Sequence, residues 1–179
     1  MQSEKTVNIF NFFPLPDNIK KNEKNYAAVG ILIINSAQIL FIKRSDQMPT
    51  HKGHIAFPGG RSEENDKNFL DTATREVSEE LLIPPNSFEP VGYLEPIDTV
   101  EYKYKVHPVI FSIEYQPTRF DNKEVQSIHL VPIRKLNNPL LWEYKGRYQD
   151  DWIFKIEEEE LWGASAKMIR NLLNIQLSK

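Results

Sequence analysis

Residues 57–80 constrain this chain more than any other stretch. Phe57-Pro58-Gly59-Gly60 is a turn signal, and a polar loop leads from it to Arg75-Glu76-Val77-Ser78-Glu79-Glu80. Phe69, Ala73, Val77 and Leu81 recur every four residues, which predicts a helix with one buried stripe. On that helix Glu76, Glu79 and Glu80 are spaced i, i+3 and i+4, so three carboxylates share one face. A cluster of this kind suits a hard divalent cation, which prefers oxygen ligands. As a solvated face the same charges would repel by only about 0.2–0.5 kcal/mol per pair, so the helix alone does not decide between the two readings. The glycine pair ahead of it tips the balance, because glycine lets backbone approach a ligand closely.

The flanking segments predict the frame for this helix. Asn65 or Asp66 is the expected N-cap, and Pro84-Pro85 cannot continue a helix, so it stops there. Residues 27–34 and 38–43 are β-branched and apolar around Asn35-Ser36 and read as a hairpin. Residues 45–54 read as a loop and 55–57 as a short strand. Further strands are expected within 87–97, 103–115, 124–132 and 148–156, and a C-terminal helix over 161–177. Strands around two or more helices predict an α/β fold with a mixed sheet packed between helices. Residues 1–26 read as an irregular N-terminal arm and 27–179 as a single domain.

The rest of the composition narrows the function classes. There is no cysteine, so a disulfide framework, a thiolate zinc site and a thiol nucleophile are excluded, and a reducing cytoplasm fits. No apolar run is long enough to span a bilayer, and the N-terminus does not look like a signal peptide. The net charge of -3 argues against general nucleic-acid binding. An anionic substrate would therefore need a local basic patch or a bound metal. Arg44, Lys43, His51, Lys52, His54 and Arg61 cluster around the loop and the glycine turn and supply such a patch. The histidines lack the spacing of a zinc site. The run 157–160, four glutamates, reads as a solvated approach to the last helix, Trp162 as core packing, and Tyr102 and Tyr104 as alternating strand residues.

Residues 60–83 resemble the Nudix box, with Arg75-Glu76-Val77-Ser78-Glu79-Glu80 matching its most specific half. The loop between Gly60 and Arg75 is one residue longer than the common form, Asp66 stands where a glutamate is usual, and Leu82 replaces a glycine near the helix end. The longer loop is similar to that of the coenzyme A pyrophosphatase-like subgroup. Leu40-Phe41-Ile42-Lys43-Arg44-Ser45, Gly53 and Phe57-Pro58-Gly59-Gly60 resemble the upstream motif of that subgroup, and Leu161-Trp162-Gly163-Ala164-Ser165-Ala166 resembles its Trp-Gly-x-Thr-Ala helix start. Pro49 stands where the upstream motif has a second basic residue, with Lys52 as a substitute close by.

The resemblance implies an α/β/α sandwich and metal-dependent hydrolysis of a nucleoside diphosphate linked to another group. Coenzyme A or an acyl derivative is the leading substrate, giving 3′,5′-ADP and 4′-phosphopantetheine. ADP-ribose, NADH or a nucleotide sugar is the alternative, and a non-catalytic nucleotide sensor is a second one. Glu76, Glu79 and Glu80 would bind Mg2+ or Mn2+, with Gly59 and Gly60 carbonyl groups completing the shell. Arg75 would orient a glutamate, with Glu79 as the expected partner. The general base is either Glu79 or Glu124. Arg44, Lys52 and Arg61 would contact the substrate phosphates. A small-molecule nucleotide is the expected partner, and a homodimer is one possible assembly.

Overall fold

Two β-branched runs around Asn35-Ser36 form the expected hairpin, β1 (Ala27–Ile34) and β2 (Gln38–Arg44). The computed structural model describes residues 9–20, 25–98 and 104–178. After the hairpin come β3 (Ile55–Ala56), β4 (Gly59–Arg61) and helix α1 (Phe69–Leu81). Next are β5 (Glu89–Tyr93), β6 (Ile97–Asp98), β7 (Lys105–Ile113) and β8 (Val125–Pro132). Helix α2 (Ile133–Leu136), a 3-10 turn (Pro139–Leu141), β9 (Trp142–Tyr144), β10 (Trp152–Ile156), β11 (Glu159–Leu161) and α3 (Gly163–Leu172) complete the order.

The large sheet has the path β3-β2-β1-β7-β5, with β4 paired to β1, β6 to β7 and β8 to β2. It is mixed: β1 and β7 run parallel from Ala27 opposite Val106 to Ile34 opposite Ile113, while β2 is antiparallel to β1. Side-chain alternation divides the interior into two layers. Ala28, Leu32, Ile34, Leu40 and Ile42 pack with Ala73, Val77 and Leu81 of α1. Ala27, Ile31, Ile33, Ile39 and Phe41 pack on the other face with Ala166, Met168, Ile169 and Leu172 of α3. Helices therefore cover both faces of a mixed sheet, the expected α/β architecture. Gly30 lets α1 lie close, since a Cβ there would sit 2.3 Å from Val77 Cγ2. No helix among the described residues is long and apolar enough to cross a membrane.

Several sequence expectations need correction. The cap of α1 is Asn68, not Asn65 or Asp66: Asn68 Oδ1 accepts from the amides of Leu70 and Asp71 at 3.0 and 3.1 Å. Asp66 is occupied with Arg75 and Thr72 instead. The expected strand at 87–97 breaks into β5 and β6, and the one at 148–156 begins only at Trp152. The four-glutamate run does lead to α3, exposed at Glu157 and Glu158, but as a turn and a strand. Glu157 (φ 56°) turns the chain, and β11 returns antiparallel to β10 in a separate sheet ordered β11-β10-β9. α3 ends at Leu172, short of residue 177. Tyr102 and Lys103 lie outside the described residues.

The arm over 9–20 carries no helix and is stitched to the domain. Phe13 and Tyr93 exchange backbone hydrogen bonds of 2.9 and 3.0 Å, and the Asn11 amide donates to Leu172 O at 2.6 Å.

α1 stops before Pro84. Leu82 is its C-cap in the left-handed region (φ 49°, ψ 44°), and its amide donates to Ser78 O. A side chain pays for this conformation in steric strain, whereas glycine does not. Leu82 is 47% exposed, so little burial offsets the strain. Leu82→Gly should therefore stabilise the fold by about 0.5–1 kcal/mol, measured as a shift of the urea midpoint at constant slope. A destabilised variant would show that Leu82 packing outweighs the strain.

Candidate active site

The stripe that buries α1 against the sheet also determines which way its glutamates face. With Ala73, Val77 and Leu81 turned into the core, Glu76 and Glu80 flank the buried stripe and Glu79 lies on the solvent side. β4 runs beneath them, paired with β1 through Ala28 opposite Gly60 and Val29 opposite Gly59. This strand is what the glycine turn becomes. A Cβ on Gly60 would fall 2.5 Å from Glu76 Oε1, and one on Gly59 would fall 2.5 Å from Ala28 O. Both glycines are therefore needed for backbone and carboxylates to come this close.

Glu80 is only 2% exposed. Its Oε1 accepts from the Gly59 amide at 3.0 Å, and its Oε2 is buried with no hydrogen-bond partner among the described residues. Burial pushes its pKa up to about 8, against the Gly59 hydrogen bond and the charge of Arg44, while the charges of Glu76 and Glu124 push in the same direction as burial. Glu76 is raised by burial too, against its bond from Arg75, with Glu124 and Glu79 adding repulsion. A buried carboxylate with an idle oxygen beside two more carboxylates is a strong acceptor set for a cation of high charge density.

Arg75 is the hub of the polar network. Its Nε and Nη2 grip Asp66 at 3.2 and 3.0 Å, Nη2 also donates to Arg61 O at 2.9 Å, and Nη1 donates to Glu76 at 2.7 Å and Glu79 at 3.2 Å. Burial opposes the charge on Arg75, but the bonds it donates to Asp66 and Glu76 outweigh it and raise the pKa. Burial would raise Asp66, yet the Arg75 guanidinium holds its carboxyl below the usual range. The expected Arg75–Glu79 contact is present, and Glu76 is the shorter partner. Asp66 takes the largest share, a role that nothing in the spacing of residues 66 and 75 signals.

The second wall comes from β2 and the turn before β8. Val125 lies opposite Arg44, and the Ser45 amide donates to Glu124 O at 2.8 Å. The Asp121 amide donates to Glu80 O at 2.9 Å and ties this turn to α1. Glu124 thus stands close enough for its charge to bear on both Glu76 and Glu80. Arg44 Nε is buried and has no hydrogen-bond partner among the described residues. Among the described residues no three acidic or histidine side chains are drawn into one metal-sized shell, because Glu76 and Glu79 turn to Arg75 while Glu80 turns to Gly59.

The remaining expected contacts are farther out. Lys52 is exposed on the 45–54 loop. Arg61 is exposed as well, its Nε donating to Tyr104 Oη at 2.9 Å with the guanidinium carbon 5.0 Å from that ring. The structure brings the expected carboxylates, Arg75, Arg44 and the glycines into one region. The partners Asp66 and Tyr104 were not expected in those places; Asp66 was visible only as a departure from the usual motif residue.

The family model described as NUDIX domain matches residues 24–152. An uncharacterized Nudix hydrolase NudL from Shigella boydii serotype 4 (strain Sb227) is 34% identical over 154 residues, covering 82% of this chain and 80% of the relative. The NudL of Escherichia coli O157:H7 (strain EC4115 / EHEC) has the same identity and coverage. Among solved structures, DR0079 from Deinococcus radiodurans superposes with a TM-score of 0.56 at 14% identity, covering 87% of each chain. The Nudix hydrolase RenU from M. smegmatis superposes with a TM-score of 0.52 at 15% identity, over 67% of this chain and 82% of its own.

Proposed function

This chain belongs to the NUDIX domain family, and from that premise we propose that its substrate is coenzyme A or an acyl derivative, cleaved to 3′,5′-ADP and 4′-phosphopantetheine. As a Nudix hydrolase it is a pyrophosphohydrolase acting on acid anhydrides, those of nucleoside diphosphate derivatives. We assign the catalytic domain to residues 27–179, with 1–26 as an arm, and a cytoplasmic location.

The observation that carries the catalytic reading is the idle, buried Oε2 of Glu80 beside Glu76 and Glu124. Nudix hydrolases generally use divalent metals such as Mg2+ or Mn2+, and the acceptor set here fits such an ion. Glu76, Glu79 and Glu80 would hold it, with Gly59 and Gly60 carbonyls as further oxygen donors. When bound, the ion neutralises phosphate charge and lowers the pKa of water. The other steps belong to the chain. Arg75 donates to Glu76 and Glu79 and aims both carboxylates. Glu79 or Glu124 takes the proton as water attacks phosphorus and the anhydride P–O bond breaks. Glu124 is half-buried beside Glu76 and Glu80, whereas the Glu79 side chain is 60% exposed at the rim. Arg44 offers a cationic donor to a phosphate oxygen, with Lys52 and Arg61 farther out.

Support for the coenzyme A reading comes from the motif resemblance over residues 40–60 and 161–166. Pro49 favours the second reading, another nucleoside diphosphate derivative such as ADP-ribose, NADH or a nucleotide sugar. The test is chromatography of products after incubation with Mg2+ and coenzyme A, ADP-ribose or NADH, beside a Glu79→Gln control. The expected result is 3′,5′-ADP from coenzyme A with the wild type, and turnover lower by about 10²–10⁴-fold in the control. Cleavage of ADP-ribose or NADH in preference to coenzyme A would overturn the substrate assignment and leave the chemistry standing.

A further inference from the structure

Trp162 has a different place from the other tryptophans. Trp142 and Trp152 are buried in the core. Trp162 is half-buried at the start of α3, and its ring meets two side chains from different parts of the chain. His54 lies edge-on with ring centroids 5.1 Å apart, and the Arg147 guanidinium carbon is 6.0 Å from the Trp162 ring. Arg147 is itself locked. Its amide, Nε and Nη2 each donate to the fully buried Asp151 at 2.8 Å.

His54 closes the loop that begins at Arg44. The Arg44 amide donates to His54 O at 3.0 Å, and the Gly53 amide donates to Arg44 O at 3.0 Å. His51, within the same loop, lies 5.4 Å from the His54 ring. A second clamp stands on the same edge: Lys43, next to Arg44, pairs with Glu159 of β11. The sheet β9–β11 and the first residue before α3 thus grip the Lys43–His54 segment at two points, from outside the acidic site.

We propose that Trp162 is a positioning residue for substrate binding: by packing on His54 it sets the backbone of Arg44 and the 45–54 loop. The inference rests on the reading of Arg44 and that loop as a phosphate-binding surface. Trp162 itself touches no carboxylate of the site, so its loss acts on affinity and leaves the proton-transfer groups in place. The small sheet then has a function in the hydrolase, as the buttress of a substrate loop.

The experiment separates KM from kcat for Trp162→Ala, Trp162→Phe, His54→Ala and the double Trp162→Ala/His54→Ala, using whichever of coenzyme A, ADP-ribose and NADH the wild type cleaves. Trp162→Ala should raise KM about 3- to 10-fold, the size of one lost ring contact, with kcat close to wild type. Trp162→Phe should restore most of the affinity. The double variant should be no worse than the worse single one, because both remove the same contact. Unchanged KM, or kcat falling together with the melting temperature in Trp162→Phe as well as in Trp162→Ala, would overturn the inference. Calorimetric binding of ADP is measured alongside. If the wild type cleaves none of the three, the substrate reading fails on its own, and equal ADP affinities in wild type and Trp162→Ala would then overturn the role of Trp162 separately.

Discussion

Arg75→Ala is expected to lose about 3 kcal/mol of stability, near the lower end of what breaking a buried ion pair costs, together with nearly all turnover. Two carboxylates depend on this one guanidinium: the Asp66 side chain is 6% exposed and that of Glu76 is 12% exposed. Removing Arg75 leaves both charges without their partner and frees the Arg61 carbonyl from its donor. The lower end of the range applies because 19% of the Arg75 side chain still reaches solvent. Arg75→Lys should recover less than half of the loss, since one ammonium cannot grip Asp66 with two nitrogens while reaching Glu76 and Glu79. Urea unfolding of the three proteins measures this. A loss below about 1 kcal/mol would mean that these carboxylates are as easily solvated as a surface pair.

Glu80→Gln should abolish hydrolysis and yet stabilise the metal-free protein at alkaline pH. The carboxyl is held up to about 8 in the folded chain, against an ordinary value of 4.5. Between those values the folded state binds more protons at this site than the unfolded state does. The contribution of Glu80 is therefore fully present below pH 4.5, declines as pH rises, and is gone above about 8. A glutamine has no such loss, so the variant should overtake the wild type in EDTA by about 1–3 kcal/mol at pH 9. Glu76 is shifted in the same direction, which is why the difference between the two proteins, and not the wild-type slope alone, is the quantity to read. Added Mn2+ should raise the melting temperature of the wild type more than that of the variant. Equal pH slopes for the two proteins in EDTA would sink the account of Glu80 as a strained carboxylate awaiting a cation.

The local parts of this molecule were legible in the chain. β-branched, apolar runs around Asn35-Ser36 marked the β1–β2 hairpin, and Ala73, Val77 and Leu81, three members of the expected stripe, are fully buried. Phe69, the fourth, is half-buried and stacks on His107 with centroids 5.2 Å apart, a contact with no local signal. Of the small sheet only β10 was legible, inside the strand expected at 148–156. β9 and β11 are three residues long and carry charged residues, and a run of glutamates carries no period-2 pattern. The cap moved to Asn68 because Asp66, equally able to cap, is drawn away by Arg75 across nine residues of chain.

By itself the sequence determined the carboxylate spacing, the glycines, the apolar runs of the hairpin and the family, because each depends on residue order within one turn of helix, one strand or one contiguous motif. The motif resemblance already pointed to Glu124 and Arg44, but it is tertiary structure that brings them to the glutamates, since β2 and β8 must pair before residues 44 and 124 become neighbours. It also decided that Glu80 is the buried member and Glu79 the exposed one. The face that α1 presents to the sheet sets the dielectric around each carboxylate, and identical side chains acquire different proton affinities only once that packing excludes water from one of them.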